Sequence, residues 1–129
     1  MTTYKPQNYN SLSPYLIVDD AQALVNQLTT IFNATILRRF DQPNDKIMHI
    51  ELLIEDSVIM ISDSTNDYPA HKTMLHLYVP DVFTTYKLAI ANGCIAISEP
   101  VNQGGDPDTR GSFYDLAGNH WSVSTQQVN

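Results

Sequence analysis

Apolar and polar residues alternate at the start of the patterned chain. In SPYLIVDD (13–20), Leu16 and Val18 interleave with Tyr15 and Ile17 ahead of two aspartates. Alternation of this kind marks a strand. The period then changes. Ala21, Leu24, Val25, Leu28, Ile31 and Phe32 recur at helical spacing, with Asp19 or Asp20 placed to cap the helix and Asn33 to end it. The same succession returns in the second half. MLHLYVPD (74–81) is an apolar strand ending at Asp81, and Val82, Phe83, Tyr86, Ala89 and Ile90 follow at helical spacing up to Asn92-Gly93. Residues 13–37 and 74–98 therefore form an internal repeat, with Asp20 and Asp81 at the same offset.

Each copy runs on into further strands. IMHIELLIEDSVIMISD (47–63) gives two strands joined at Glu55-Asp56-Ser57, and GSFYDLAGNHWSVST (111–125) gives two joined at Ala117-Gly118-Asn119. The expectation is an α+β chain of two βαβββ modules forming one domain over residues 1–129. Module one covers about 12–63, a linker 64–72 and module two about 73–126; residues 1–11 form an arm before the first strand.

Composition narrows the function. The chain has 129 residues, enough for one core. Its net charge of −7, from scattered acids, argues against a basic face for nucleic acid. No apolar run is long enough to cross a bilayer, and MTTYKPQNYN has no apolar leader. The single Cys94 cannot form an internal disulfide and reads as a buried hydrophobe. A cytoplasmic protein without nucleic-acid or membrane partners is expected.

Alternation also sorts the strands into two faces. Leu16, Val18, Ile50, Leu52, Ile59, Ile61, Leu75, Leu77, Val79, Phe113, Trp121 and Val123 make an apolar face suited to lie beneath the helices. The opposite face carries Ser13, Tyr15, Ile17, Leu53, Val58, Ser62, Ser112 and Ser124 with the candidate ligand-binding residues His49, Glu51, Met60, Met74, His76, Tyr78, Arg110, Tyr114, His120 and Ser122. A solvated sheet face is rich in Lys and Glu. This one holds Met, Tyr and His with few charges, as a partly dry pocket does. Glu51 and Arg110 are candidates to orient polar groups of a ligand, or to pair with each other. His49 and Glu51, two apart on one face, can move a proton.

The ordered set PYLIVDDAQA, IMHIELLIEDSVIMISD, LYVPDVFTTYKLAIANG and RGSFYDLAGNHWSVST resembles the vicinal oxygen chelate superfamily of glyoxalase I, extradiol dioxygenases and bleomycin resistance proteins, in its PhnB-like branch. The resemblance implies that each sheet curls into half a cup, and that the chain forms a homodimer. Some members are named methyltransferases, but no Gly-rich cofactor loop follows a strand here. In the superfamily, metal ligands come from the first and last strands of each module. Those positions fall here on Ser13, Met60, Met74 and Ser122, two hydroxyls and two thioethers. Divalent ions prefer imidazole, carboxylate and thiolate donors. The sequence therefore predicts no metal and no cofactor, and a protein that binds a small organic ligand, of the sequestering resistance type. The alternative is a metal-dependent lyase or dioxygenase with ligands displaced to His49, Glu51, His76 and His120.

Overall fold

The computed structural model describes residues 3–127. The elements run β1 (Tyr15–Val18), α1 (Ala21–Phe32), β2 (Thr35–Asp41), β3 (Ile47–Ile54), β4 (Ser57–Asp63), β5 (Met74–Tyr78), α2 (Val82–Ala91), β6 (Ile95–Val101), β7 (Asp108–Tyr114) and β8 (His120–Gln126). They make two four-stranded sheets, ordered β1-β4-β3-β2 and β5-β8-β7-β6. In each, the first strand pairs in parallel with the last, and the other pairs are antiparallel. The fold is thus α+β with two βαβββ modules. Among the described residues no helix is long and apolar enough to cross a membrane.

Local chemistry explains the boundaries. The Asp20 carboxylate accepts the Ala23 amide at 3.1 Å, and Asp81 accepts those of Phe83 and Thr84, so both helices start where unpaired amides find an acceptor. α1 ends at Asn33, which adopts the left-handed conformation (φ 54°), whereas α2 ends through Gly93 (φ 92°). The β3–β4 connection has two residues, Glu55 and Asp56, with Glu55 at φ 53°. The β7–β8 connection has five, residues 115–119, organised by the Asp115 carboxylate. That group accepts the amides of Ala117 and Asn119, the Asn119 side-chain amide and the Trp121 indole N–H.

The residues of the apolar face enter the core as their alternation demands; Leu75 and Leu77 are partly buried against it. The modules are joined through α1. Phe32 packs on Phe113 and Trp121, with ring centroids 6.5 and 4.9 Å apart. Gln27, in the same helix and buried, donates to the Asn92 carbonyl and accepts from the Leu116 amide, both at 2.9 Å. Cys94 is buried, which with the Asp115 charge pushes its thiol up to about 12.

Candidate functional site

The sheet face of module one away from the helices holds a hydrogen-bonded chain. Its anchor is Glu51, on β3 and 4% exposed. The Tyr9 hydroxyl, reaching in from the N-terminal arm, donates to its Oε1 at 2.5 Å, and His49 Nε2 lies 2.7 Å from its Oε2. On the far side of the imidazole, Nδ1 lies 3.0 Å from the Tyr15 hydroxyl. Arg38 of β2, which pairs with Glu51 across the sheet, brings its Nε to 3.9 Å from Glu51 Oε1 and its guanidinium carbon to 5.4 Å from the centre of the Tyr9 ring. Burial alone would push the Glu51 carboxyl up. Hydrogen bonds from Tyr9 and His49, with the charge of His49 when it is protonated and that of Arg38, outweigh it and hold the group below its ordinary value. The reciprocal hydrogen bond to Glu51, then burial, push the Tyr9 phenol up.

A bulge shapes the neighbouring cavity. Phe40 pairs with His49 but Asp41 pairs with Ile47, so Met48 is left over. Ile47 stays in the core, and its amide donates to Asp63 Oδ2 at 2.6 Å. Met48 instead joins Tyr15, Ile17, Gln42, Ser62, Asp63, Thr65 and Tyr68 around a pocket of about 580 Å³. Asp63 is structural as well as lining: its Oδ1 accepts the first amide of α1, Ala21, at 2.8 Å.

Module two is arranged differently. Tyr78 donates to Asp108 Oδ2 at 2.7 Å, and Arg110 grips Asp106 through Nε and one terminal nitrogen at 3.0–3.2 Å. A second contact takes Arg110 to within 3.5 Å of Asp108. These bonds hold the Asp106 carboxyl below, and the Tyr78 phenol above, their ordinary values. His76 Nε2 lies 3.0 Å from the Ser124 hydroxyl and its ring stands edge-on to Tyr78; Tyr114 meets His120 in the same way, with centroids 5.6 Å apart.

The ten residues singled out from the sequence therefore fall into two groups. His49, Glu51 and Met60 lie on module one, with Glu51 and Met60 paired across β3 and β4. Met74, His76, Tyr78, Arg110, Tyr114, His120 and Ser122 lie on module two, where Met74 pairs with His120 and His76 with Ser122. Hydrogen bonds and ring contacts among the ten stay within a module. Glu51 and Arg110 do not pair with each other: each has acidic, basic or phenolic partners nearer to hand in its own module. None of the ten lines the pocket of about 580 Å³. Tyr15, Ile17 and Ser62 do, and their alternation had placed them on this face. Met48 was hidden because a bulge breaks the period of two, and Gln42, Thr65 and Tyr68 because they sit in connections. Arg38 and Tyr9 carry no spacing signal. Among the described residues, no group of three or more His, Cys, Asp or Glu side chains is arranged to hold a metal ion.

The family model of the Glyoxalase/Bleomycin resistance protein/Dioxygenase superfamily matches residues 9–123. The chain belongs to that superfamily. An uncharacterised protein of Mycobacterium bovis is 29% identical over 132 residues, covering 92% of this chain and 86% of its own. TioX from Micromonospora sp. ML1 superposes with a TM-score of 0.78 at 17% identity, covering 92% of this chain and 99% of that one. The PhnB protein from Bacillus cereus does so at 0.72 and 14%, covering 90% and 99%. At these identities the two structures speak for the fold, and they agree with the resemblance carried by the strand and helix motifs.

Proposed function

We propose that this chain binds a small, largely apolar organic molecule in the pocket beside Tyr15 and acts by sequestering it. The pocket carries the reading: about 580 Å³, walled by Tyr15, Ile17, Met48 and Tyr68, with Gln42, Ser62 and Thr65 as polar anchors. Binding without a metal centre is part of the proposal. Register supports it, because Tyr15↔Met60 and His76↔Ser122 are corresponding pairs, so that Met60 answers to Ser122 and, two residues earlier on each first strand, Ser13 answers to Met74. Those donors do not fit a divalent ion. Nor do His49, Glu51, His76 and His120 fit as a set, since Glu51 and both His49 nitrogens are committed to the Tyr9–Glu51–His49–Tyr15 chain and His76 Nε2 to Ser124.

A homodimer is the second part. β2 is exposed along its whole length and β6 nearly so, with Ile36, Phe40, Ile95 and Val101 bare, as are Met74 and Tyr78 on the sheet of module two. Such surface is costly in a monomer. The single cysteine supports a cytoplasmic setting.

The test is thermal unfolding of the whole chain against a panel of planar aromatic compounds. A binder gains about 2.7 kcal/mol at a hundredfold excess over Kd. Tyr68→Ala, at a position 67% exposed and outside the core cluster, should abolish the gain without lowering the starting midpoint. No gain from any compound would sink the reading. Elemental analysis after exposure to zinc, nickel, manganese and iron(II) separates it from the metal-dependent lyase or dioxygenase: one retained metal per subunit favours the enzyme.

A further inference from the structure

We propose that Tyr15, His49 and Glu51 form a proton-accepting relay, which binds a planar molecule bearing a weakly acidic hydroxyl, a phenol or an enol, and holds it as its anion. The inference rests on the pocket being a ligand site and adds the chemical class of the ligand.

The direction of the hydrogen bonds carries the argument. An ionised carboxylate only accepts, so the 2.7 Å contact to Glu51 fixes the proton of neutral His49 on Nε2. Nδ1 then presents a lone pair, and the Tyr15 hydroxyl, 3.0 Å away, donates to it. Tyr15 is left with oxygen lone pairs and no proton for the pocket that its side chain lines. What it offers a ligand is an acceptor with a base behind it. A carboxylate that orients an imidazole, which draws on a hydroxyl, is the arrangement by which enzymes make a hydroxyl give up its proton.

The proton accounting closes. The ligand hydroxyl gives its proton to the Tyr15 oxygen as Tyr15 passes its own to His49 Nδ1. Tyr15 stays neutral and now donates to the ligand anion; the imidazolium lies one hydrogen bond behind it, against Glu51. Charge closes as well. Arg38 at 3.9 Å already offsets part of the Glu51 charge, so the proton gained by His49 leaves a surplus that a ligand anion neutralises. Groups facing His49 are Tyr15 from β1, Glu51 from β3 and Phe40 from β2 and, through Glu51, Arg38 from β2 and Tyr9 from the arm. Asp63 from β4 is the carboxylate that lines the pocket, and its oxygens are turned to the Ala21 amide at the start of α1 and the Ile47 amide at the start of β3, which offset its charge.

The probe is para-nitrophenol, whose phenolate is yellow, titrated into the intact protein at a pH about one unit below its own pKa, where roughly a tenth is ionised in solution. Binding is followed separately by calorimetry, with para-nitroanisole as the partner that has no hydroxyl proton. The expected result is a bound phenolate-to-phenol ratio at least about tenfold above that in solution, as a one-unit shift requires. In His49→Gln and in Tyr15→Phe the excess ionisation should vanish while para-nitroanisole still binds; Tyr15 is 43% exposed, so the second variant keeps the fold if the first does not. A nitrophenol that binds but stays colourless overturns the relay and leaves the binding reading standing. Ionisation that survives in both variants does the same. Failure of both compounds to bind overturns the pocket itself, and the relay with it.

Discussion

The two modules share one pattern and differ in what their open faces do with it. Register makes the correspondence explicit: Tyr15 answers to His76, Met60 to Ser122 and Glu51 to Ser112, because each set is paired across equivalent strands. In module one the central position is a carboxylate, and it gathers His49, Tyr9 and Arg38 around itself. In module two the same position is Ser112, which draws no charge. Arg110, the counterpart of His49, turns to Asp106 and Asp108 at the end of its own strand, and Tyr78 follows. A duplicated fold hands both halves the same positions. Which position holds the carboxylate decides where the polar network forms.

The contrast is sharpest at the turns, where the largest effect is expected. Asp115 is 2% exposed and accepts four N–H groups that have no other partner at hand, while Asp56 in the matching turn is exposed and meets only the Ser57 hydroxyl. Asp115→Ala should lower unfolding stability in urea by about 3 kcal/mol, from buried donors left unpaired. Asp56→Ala should stay within about 0.5 kcal/mol. Equal losses would show that the five-residue loop is not held by its carboxylate. Next comes the seam between the modules. Gln27→Ala removes both bonds that tie α1 to Asn92 and Leu116, and should cost about 2 kcal/mol in the same titration. Unfolding in two steps rather than one would mean that Gln27 couples the halves, and an unchanged midpoint that Phe32 alone does.

The repeat and the buried face were legible in the sequence because both rest on period. Leu16, Ile50, Phe113 and Trp121 fall where alternation puts them, and Asp20, Asp81 and Asn33 punctuate the helices by local chemistry. The site was less legible because it depends on departures from period and on long-range contact. Met48 changes face at a bulge, and Tyr9 crosses from an arm that shows no pattern to reach Glu51. Glu51 and Arg110 looked like partners by charge alone. Charge names possible partners, but strand order places them, and these two belong to different sheets.

A smaller effect, with a characteristic pH dependence, is expected at Glu51. Its folded value lies below the ordinary one, so the unfolded chain binds its proton more readily. Stability from this group is therefore present above about pH 4.3 and is lost as pH falls through the lower folded value. Glu51→Gln should cost about 1–2 kcal/mol at neutral pH, the range for a hydrogen bond to a charged group, and the difference from the native chain should shrink toward pH 3. A gap that stays constant over that range would mean the carboxylate gains nothing from Tyr9 and His49. No counterpart of this acid sensitivity is expected from Ser112.

The smallest effect separates the two halves most directly. Arg110 looks in sequence like the natural anchor for an anionic ligand, yet its contacts are to Asp106 in the preceding loop and Asp108 at the start of its own strand, and its side chain is 44% exposed. Exposed ion pairs contribute little, since water and salt screen them. Arg110→Gln should leave the urea midpoint unchanged, and it should leave para-nitrophenol ionisation at Tyr15 unchanged too, because no bond links Arg110 to the module-one chain. Arg38→Gln should reduce that ionisation, since Arg38 stands beside Glu51 and helps set the charge the ligand must meet. If the two substitutions act alike, the modules share one cup, as they would where a partner subunit brings the faces together. If only Arg38→Gln acts, the chemistry belongs to module one, and module two contributes the scaffold.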